Sequence, residues 1–218
     1  MIARYLLVDW PQFAAALVLL LVPGGLFHGK KVRYREISRD WDEHWPRMLA
    51  HGLHTIDFLR AALGTWLLLD SLHGVPNPHG IAKYAVVLTQ GSIRILAVWL
   101  QTIFCKHEDS ANAPFAFVAG LLVTGMSPLG SLFALALAIP VAMGSRTPAA
   151  FFPVLAVVYL GVGVWFDGKG AVIPLAFGSF AATVPLLWAM LFRRELVTTY
   201  RAKRQTNEPW TPPDPPPR

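Results

Sequence analysis

"PFAFVAGLLVTGMSPLGSLFALALAIPVAM", residues 114–143, decides how many times this chain crosses a bilayer. The stretch carries no charge. As one straight helix its 30 residues would reach about 45 Å, against a hydrocarbon core of roughly 30 Å. Ser127-Pro128 offers a break, because the residue before a proline resists the helical region. The stretch therefore reads as two short spans, 114–126 and 128–143, forming a broken hairpin. A re-entrant pair is the second reading.

The flanking sequence supplies further spans. Blocks of near-membrane length occur at 11–28, 53–72, 82–105, 148–166 and 171–192, where a helix needs about 20 apolar residues to cross. Across the 218 residues, 54% are hydrophobic and 15% charged, against roughly 25% charged in a soluble domain. The expected fold is an all-α integral membrane protein, a seven-span helix bundle over 1–204 followed by a proline-rich extended tail, 205–218.

Charge settles the parity. With seven spans, the loop 29–47 (six basic residues), Lys106, Arg146 and the tail (Arg193, Arg194, Arg201, Lys203, Arg204 and Arg218) share one side. Arg4, Lys83 and Lys169 fall on the other. Lysine and arginine concentrate on the cytoplasmic side. The expectation is a bacterial-type inner (plasma) membrane, with the N-terminus outside and the C-terminus cytoplasmic. The first apolar block lacks a small-residue cleavage site, and its strong positive charge follows rather than precedes it, as in a retained span. In "DWPQ", Asp9 is a possible N-cap and Pro11 suits a first helical turn. Trp10 and Trp165 are expected at the outer boundary, Trp45 and Trp188 at the inner. Basic residues placed beside apolar segments argue against nucleic acid as the partner.

Charge also lies within the spans. Gln90, Arg94, Ala97 and Gln101 are spaced four, three and four apart, which puts them on one helical face. An arginine at mid-bilayer costs about 2.5–3.5 kcal/mol on insertion scales and calls for a partner. In the preceding span, His54, Asp57, Ala61, Gly64 and Leu68 form a stripe of small and polar residues. Small residues let helices approach, and polar ones bond across the gap. The short connection "HGVPNPHG" makes the two spans antiparallel neighbours. Asp57 is then the natural counter-ion of Arg94, with Arg60 able to complete the network. The polar seam is Asp57, Arg60, Gln90, Arg94 and Gln101, and the packing residues are Ala61, Gly64 and Ala97. This charge reads either as a pathway or as a structural ion pair.

His51 and His54 are candidate ligands for a metal, haem or pigment, although a bare H-x-x-H is a weak pattern. The single cysteine, Cys105, excludes an internal disulfide and a zinc-finger cluster. There is no Gly-x-Ser-x-Gly, no phosphate-cradling glycine loop and no pair of carboxylates within a span. "FDGKG", 166–170, reads as a tight turn.

The loop 29–47 suits anionic headgroups or a docking subunit, and Ser38 is a candidate cap for a short surface helix there. The tail, with Pro209, Trp210, Pro212 and Pro213, cannot form helix and suits an aromatic groove on a protein partner. Three functions remain. The first is a non-catalytic subunit of a larger inner-membrane complex, energy-converting or pigment-bearing. The second is a small-solute or ion transporter using the polar seam. The third is a membrane enzyme with His51, His54 and Asp57 at the inner interface.

Overall fold

Why these residues fold as they do is visible in a computed structural model, which describes residues 6–24, 31–39, 52–75, 84–104, 110–146 and 148–199. Most of this is helix. α1 (Trp10–Leu21) is followed by the short α2 (Tyr34–Arg39), then α3 (Gly52–Ser71), α4 (Ala85–Ile103), α5 (Phe115–Val123), α6 (Pro128–Gly144), α7 (Phe151–Asp167) and α8 (Val172–Leu191). Among the described residues, three segments are long and apolar enough to cross a membrane: Ala85–Ile103, Pro148–Asp167 and Lys169–Leu191. They mark the chain as a membrane protein. α1 and α6 are apolar but shorter. α3 has the length, yet carries Asp57, Arg60 and Asp70.

The first span ends earlier than expected, at Leu21 rather than near 28. Its cause is local. Val22 precedes Pro23 and sits in extended backbone, φ −64° and ψ 119°, as the proline ring demands of its predecessor. The break at Ser127-Pro128 falls where the sequence places it, with Ser127 at ψ 143°. Gly168 adopts φ +80° and turns the chain between α7 and α8.

Helices alone do not complete the fold. Among the described residues, five short strands, β1 (Leu6–Val8), β2 (Lys31–Arg33), β3 (Leu72–Gly74), β4 (Ser110–Asn112) and β5 (Glu195–Thr199), form two small sheets. β1 pairs antiparallel with β3, Leu7 opposite His73. β5 lies between β2, antiparallel, and β4, parallel. Strand pairing satisfies backbone groups that would otherwise be left open at the helix ends. Asp9 stands at the N-cap position without a side-chain cap bond; its N–H donates to the Ser71 carbonyl at 2.9 Å. Ser38 lies inside α2 rather than capping it.

The two sheets occupy opposite ends of the bundle, since β1 precedes α1 and β3 follows α3, whereas β4 and β5 follow α4 and α8. Side-chain neighbours give the helix directions. Gly64 meets Leu20, so α1 and α3 are antiparallel. His54 meets Phe115 and Gly120 meets Phe58, so α3 and α5 run together. Gly91 meets Phe177 and Trp99 meets Trp188, so α4 and α8 run together. Phe133 stacks on Phe166, and Gly163 meets Leu175, giving antiparallel α6/α7 and α7/α8 pairs. Successive long helices therefore alternate in direction from one sheet end to the other.

The interior is built from small residues against large ones. Ala61, Ala97, Ala138, Ala142, Ala181 and Ala182 are buried among Phe117, Phe152, Leu155 and Leu175. Gly64, expected at a packing seam, faces α1: a Cβ there would lie 2.9 Å from Leu20 Cγ. The outside is apolar. Trp165 is 86% exposed, Leu191 76% and Val157 72%, which suits a hydrocarbon solvent.

Candidate functional site

The helical face predicted from spacing in α4 is present: Gln90, Arg94, Ala97 and Gln101 are all buried. They do not form one seam against α3. Gln90 and Gln101 bond to different carbonyls, and Arg94 lies beside the turn between α5 and α6.

Gln101 works at the end of α1. A helix leaves its last carbonyls without partners, and in hydrocarbon each unsatisfied group costs several kcal/mol. Gln101 Nε2 donates to the carbonyls of Leu20 (3.2 Å) and Val22 (3.0 Å). Gln101 Oε1 accepts from Gly24 N–H at 2.7 Å. Arg60, from α3, reaches the same end. Its Nη1 donates to the carbonyls of Val22 (2.5 Å) and Leu19 (3.3 Å), and its Nη2 to Gln101 Oε1 at 2.9 Å. Its Nε donates to Asp57 Oδ1 at 2.8 Å, one turn back on the same helix. The guanidinium also lies over the Phe117 ring, 4.9 Å from its centroid. A cation at a helix C-terminus is favoured by the helix dipole. Gly24 makes room, since a Cβ there would lie 2.7 Å from Asp57 Oδ1 and 2.8 Å from Arg60 Nη2. Asn112 Nδ2 donates to the Gln101 carbonyl at 3.1 Å and ties β4 to the group.

The expected Asp57–Arg94 pair is therefore corrected. Asp57 is paired with Arg60, and Arg94 has no ion pair among the described residues. The expected close packing of spans two and three is corrected with it. α3 packs chiefly along α1 and α5, and α4 chiefly along α8. A helical face shows that a residue points inward; it does not say which neighbour it meets. Two side-chain bonds join α4 and α3 directly: Arg60 donates to Gln101, and Gln90 donates to the Leu69 carbonyl at 3.3 Å.

Arg94 lies deeper, 1% exposed, beside the turn between α5 and α6. Its Nε and Nη1 are buried without a hydrogen-bond partner. Tyr159, on α7 and also 1% exposed, directs its hydroxyl to the same place. Gly125 lets both come against the backbone: a Cβ there would lie 2.5 Å from Tyr159 Oη and 3.0 Å from Arg94 Nη1. Gly178 gives Tyr159 its other wall, since a Cβ there would lie 2.6 Å from Cε1. Thr124 Oγ1 and Ser127 Oγ flank Gly125 and are also buried without partners. At the far side of the turn, Ser127 N–H donates to the Asp167 carboxylate at 3.1 and 3.4 Å. That carboxylate sits at the N-terminus of α6, where negative charge is favoured.

Sequence spacing did not find Tyr159, Thr124, Gly125 or Ser127. The available signal was a lone tyrosine within an apolar span and small hydroxyl residues around a proline break. His54 is buried and lies tilted on Phe115, ring centroids 4.5 Å apart. Among the described residues, no three His, Cys, Asp or Glu side chains gather as a metal site. His51, Trp45, most of the loop 29–47 and the whole tail 205–218, with Pro209, Trp210, Pro212 and Pro213, lie outside the described residues. No protein-family model, curated protein or solved structure matches the chain.

Proposed function

We propose that this chain is a seven-pass protein of a bacterial-type inner membrane, N-terminus outside and C-terminus cytoplasmic, and that its bundle passes a small solute. Alternation of α1 and α3–α8 between the two sheet ends supports seven passages. Charge supports the orientation. Lys31, Arg33, Arg35, Arg39, Arg146, Arg193 and Arg194 belong to the β2–β5–β4 end, and Lys169 to the other. Reporter fusions are expected to place a C-terminal alkaline phosphatase in the cytoplasm, inactive, and one after residue 75 outside, active. An active C-terminal fusion would reject the orientation.

The observation that carries solute passage is Arg94: a buried charge without an ion pair among the described residues, at an interrupted pair of helices. Broken helices are a common way to build a solute site inside a membrane, and an intramembrane charge without a structural partner points to function. Proteoliposomes examined by stopped-flow light scattering, against a panel of small neutral and ionic solutes, test this. At least one solute should relax vesicle volume about tenfold faster than in empty vesicles, a barrier change of about 1.4 kcal/mol. Empty-vesicle rates throughout would reject it.

One observation favours a second reading, a non-catalytic subunit of a larger inner-membrane complex. Asp57, Arg60 and Gln101 are engaged in closing α1, which is an architectural task. Purification in mild detergent with a stoichiometric companion protein would support that reading. A chain that purifies alone would oppose it.

A further inference from the structure

Among the described residues, nine buried side-chain polar atoms lack a hydrogen-bond partner, and five of them belong to the α5–α6 turn and its two neighbours. These are Arg94 Nε and Nη1, Tyr159 Oη, Thr124 Oγ1 and Ser127 Oγ. Two belong to a guanidinium, which only donates, and three are hydroxyls, which can donate. Among the described residues, Arg94 has no ion pair to neutralise it. Asp167, across the turn, is already turned to Ser127 N–H. A cation without a hydrogen-bonded partner among the described residues, with a hydroxyl donor beside it, matches a negatively charged guest and repels a metal ion.

We infer that this turn binds a small monovalent anion, of the carboxylate, nitrate or halide class, with Arg94 as the charged anchor and Tyr159 as a hydroxyl donor. The inference rests on the solute-passage proposal for its purpose and names the class of solute. Size follows from burial: Arg94 and Tyr159 are each 1% exposed. Gly125 brings its backbone directly against the two donors, so their surroundings are tight. A large organic anion does not fit such an interior. A phosphate monoester, doubly charged near neutral pH, exceeds the one positive charge on offer.

The test uses the full chain in detergent, with thermal unfolding followed by tryptophan fluorescence. Sodium acetate, sodium nitrate and sodium chloride are titrated against sodium gluconate at constant ionic strength; gluconate is too large to enter. The melting midpoint should rise saturably with at least one of the three, as binding to the folded state alone requires. Arg94→Met should lose that response. In gluconate it should melt above the natural chain, because replacing a buried, unpaired charge by an apolar side chain of similar length removes its desolvation cost. Tyr159→Phe should keep the response with affinity about three- to tenfold weaker, the loss of one hydrogen bond.

No response to any of the three salts would overturn the inference. So would a response that Arg94→Met retains, or an Arg94→Met chain that melts lower than the natural one in gluconate, which would make Arg94 a structural partner. A saturable response in detergent without vesicle flux of the bound anion rejects solute passage and leaves the anion site standing. Flux of a neutral solute without any anion response does the reverse.

Discussion

Arg60→Leu is expected to destabilise the folded bundle by about 3 kcal/mol, the lower end of the cost of breaking a buried ion pair, because this pair is only partly buried. The cost has three parts. Asp57 loses the Nε donor that holds it at 2.8 Å. The Leu19 carbonyl loses its Arg60 donor, and Val22 keeps Gln101 alone. Gln101 Oε1 loses one of its two donors. Asp57→Asn removes the same ion pair from the other side and should cost less, about 1–2 kcal/mol. In that variant Arg60 still donates to Leu19, Val22 and Gln101. The asymmetry is the diagnostic result, and unfolding in mixed detergent micelles measures it. Equal losses in the two variants would show that Arg60 serves Asp57 and not the end of α1. Arg60→Lys should recover only part of the loss, because an ammonium lacks the planar fork that serves four acceptors at once.

Gly120→Ala is expected to cost about 3 kcal/mol, the upper part of the range for overpacking a close contact. A Cβ at Gly120 would overlap the carbonyl oxygen of Phe58 and lie 3.0 Å from its carbonyl carbon and Cα. These are backbone atoms, so no side chain can rotate away, and α3 and α5 must separate. That shift would also move Phe117 off the Arg60 guanidinium and displace the turn beside Arg94. Gly161→Ala is the matching control. Its Cβ would meet nothing within 4 Å, and a glycine in a helix interior costs about 1 kcal/mol relative to alanine. Gly161→Ala should therefore raise the thermal midpoint while Gly120→Ala lowers it sharply. A neutral Gly120→Ala would mean that α3 and α5 do not meet at this point.

Much of the candidate site was legible as a list and not as an arrangement. The three- and four-residue spacing of Gln90, Arg94 and Gln101 was enough to bury them, because helical periodicity is a local property. Their partners were not local. Gln101 bonds α1, some 80 residues away in the chain, and Arg60 bonds the same helix across 38 and 41 residues. Asp57 was assigned to Arg94 on the ground that consecutive spans lie side by side. In the folded chain α3 packs along α1 and α5 instead, and the early stop of α1 at Leu21 leaves the carbonyls that Arg60 serves. The short strands escaped notice because three-residue pairings leave little trace in composition.

By itself the sequence determined that the chain is apolar in blocks, that proline breaks one of them at residue 128, and that basic residues gather at one set of block ends. Each of these depends on a residue and its near neighbours, or on simple counting along the chain. Only the tertiary structure decided which helices touch, which charge closes the end of α1, and that Arg94 and Tyr159 meet over Gly125 without partners. The reason is physical: an orphaned carbonyl or an unpaired guanidinium is defined by what surrounds it in space, and in this bundle those surroundings come from distant parts of the chain.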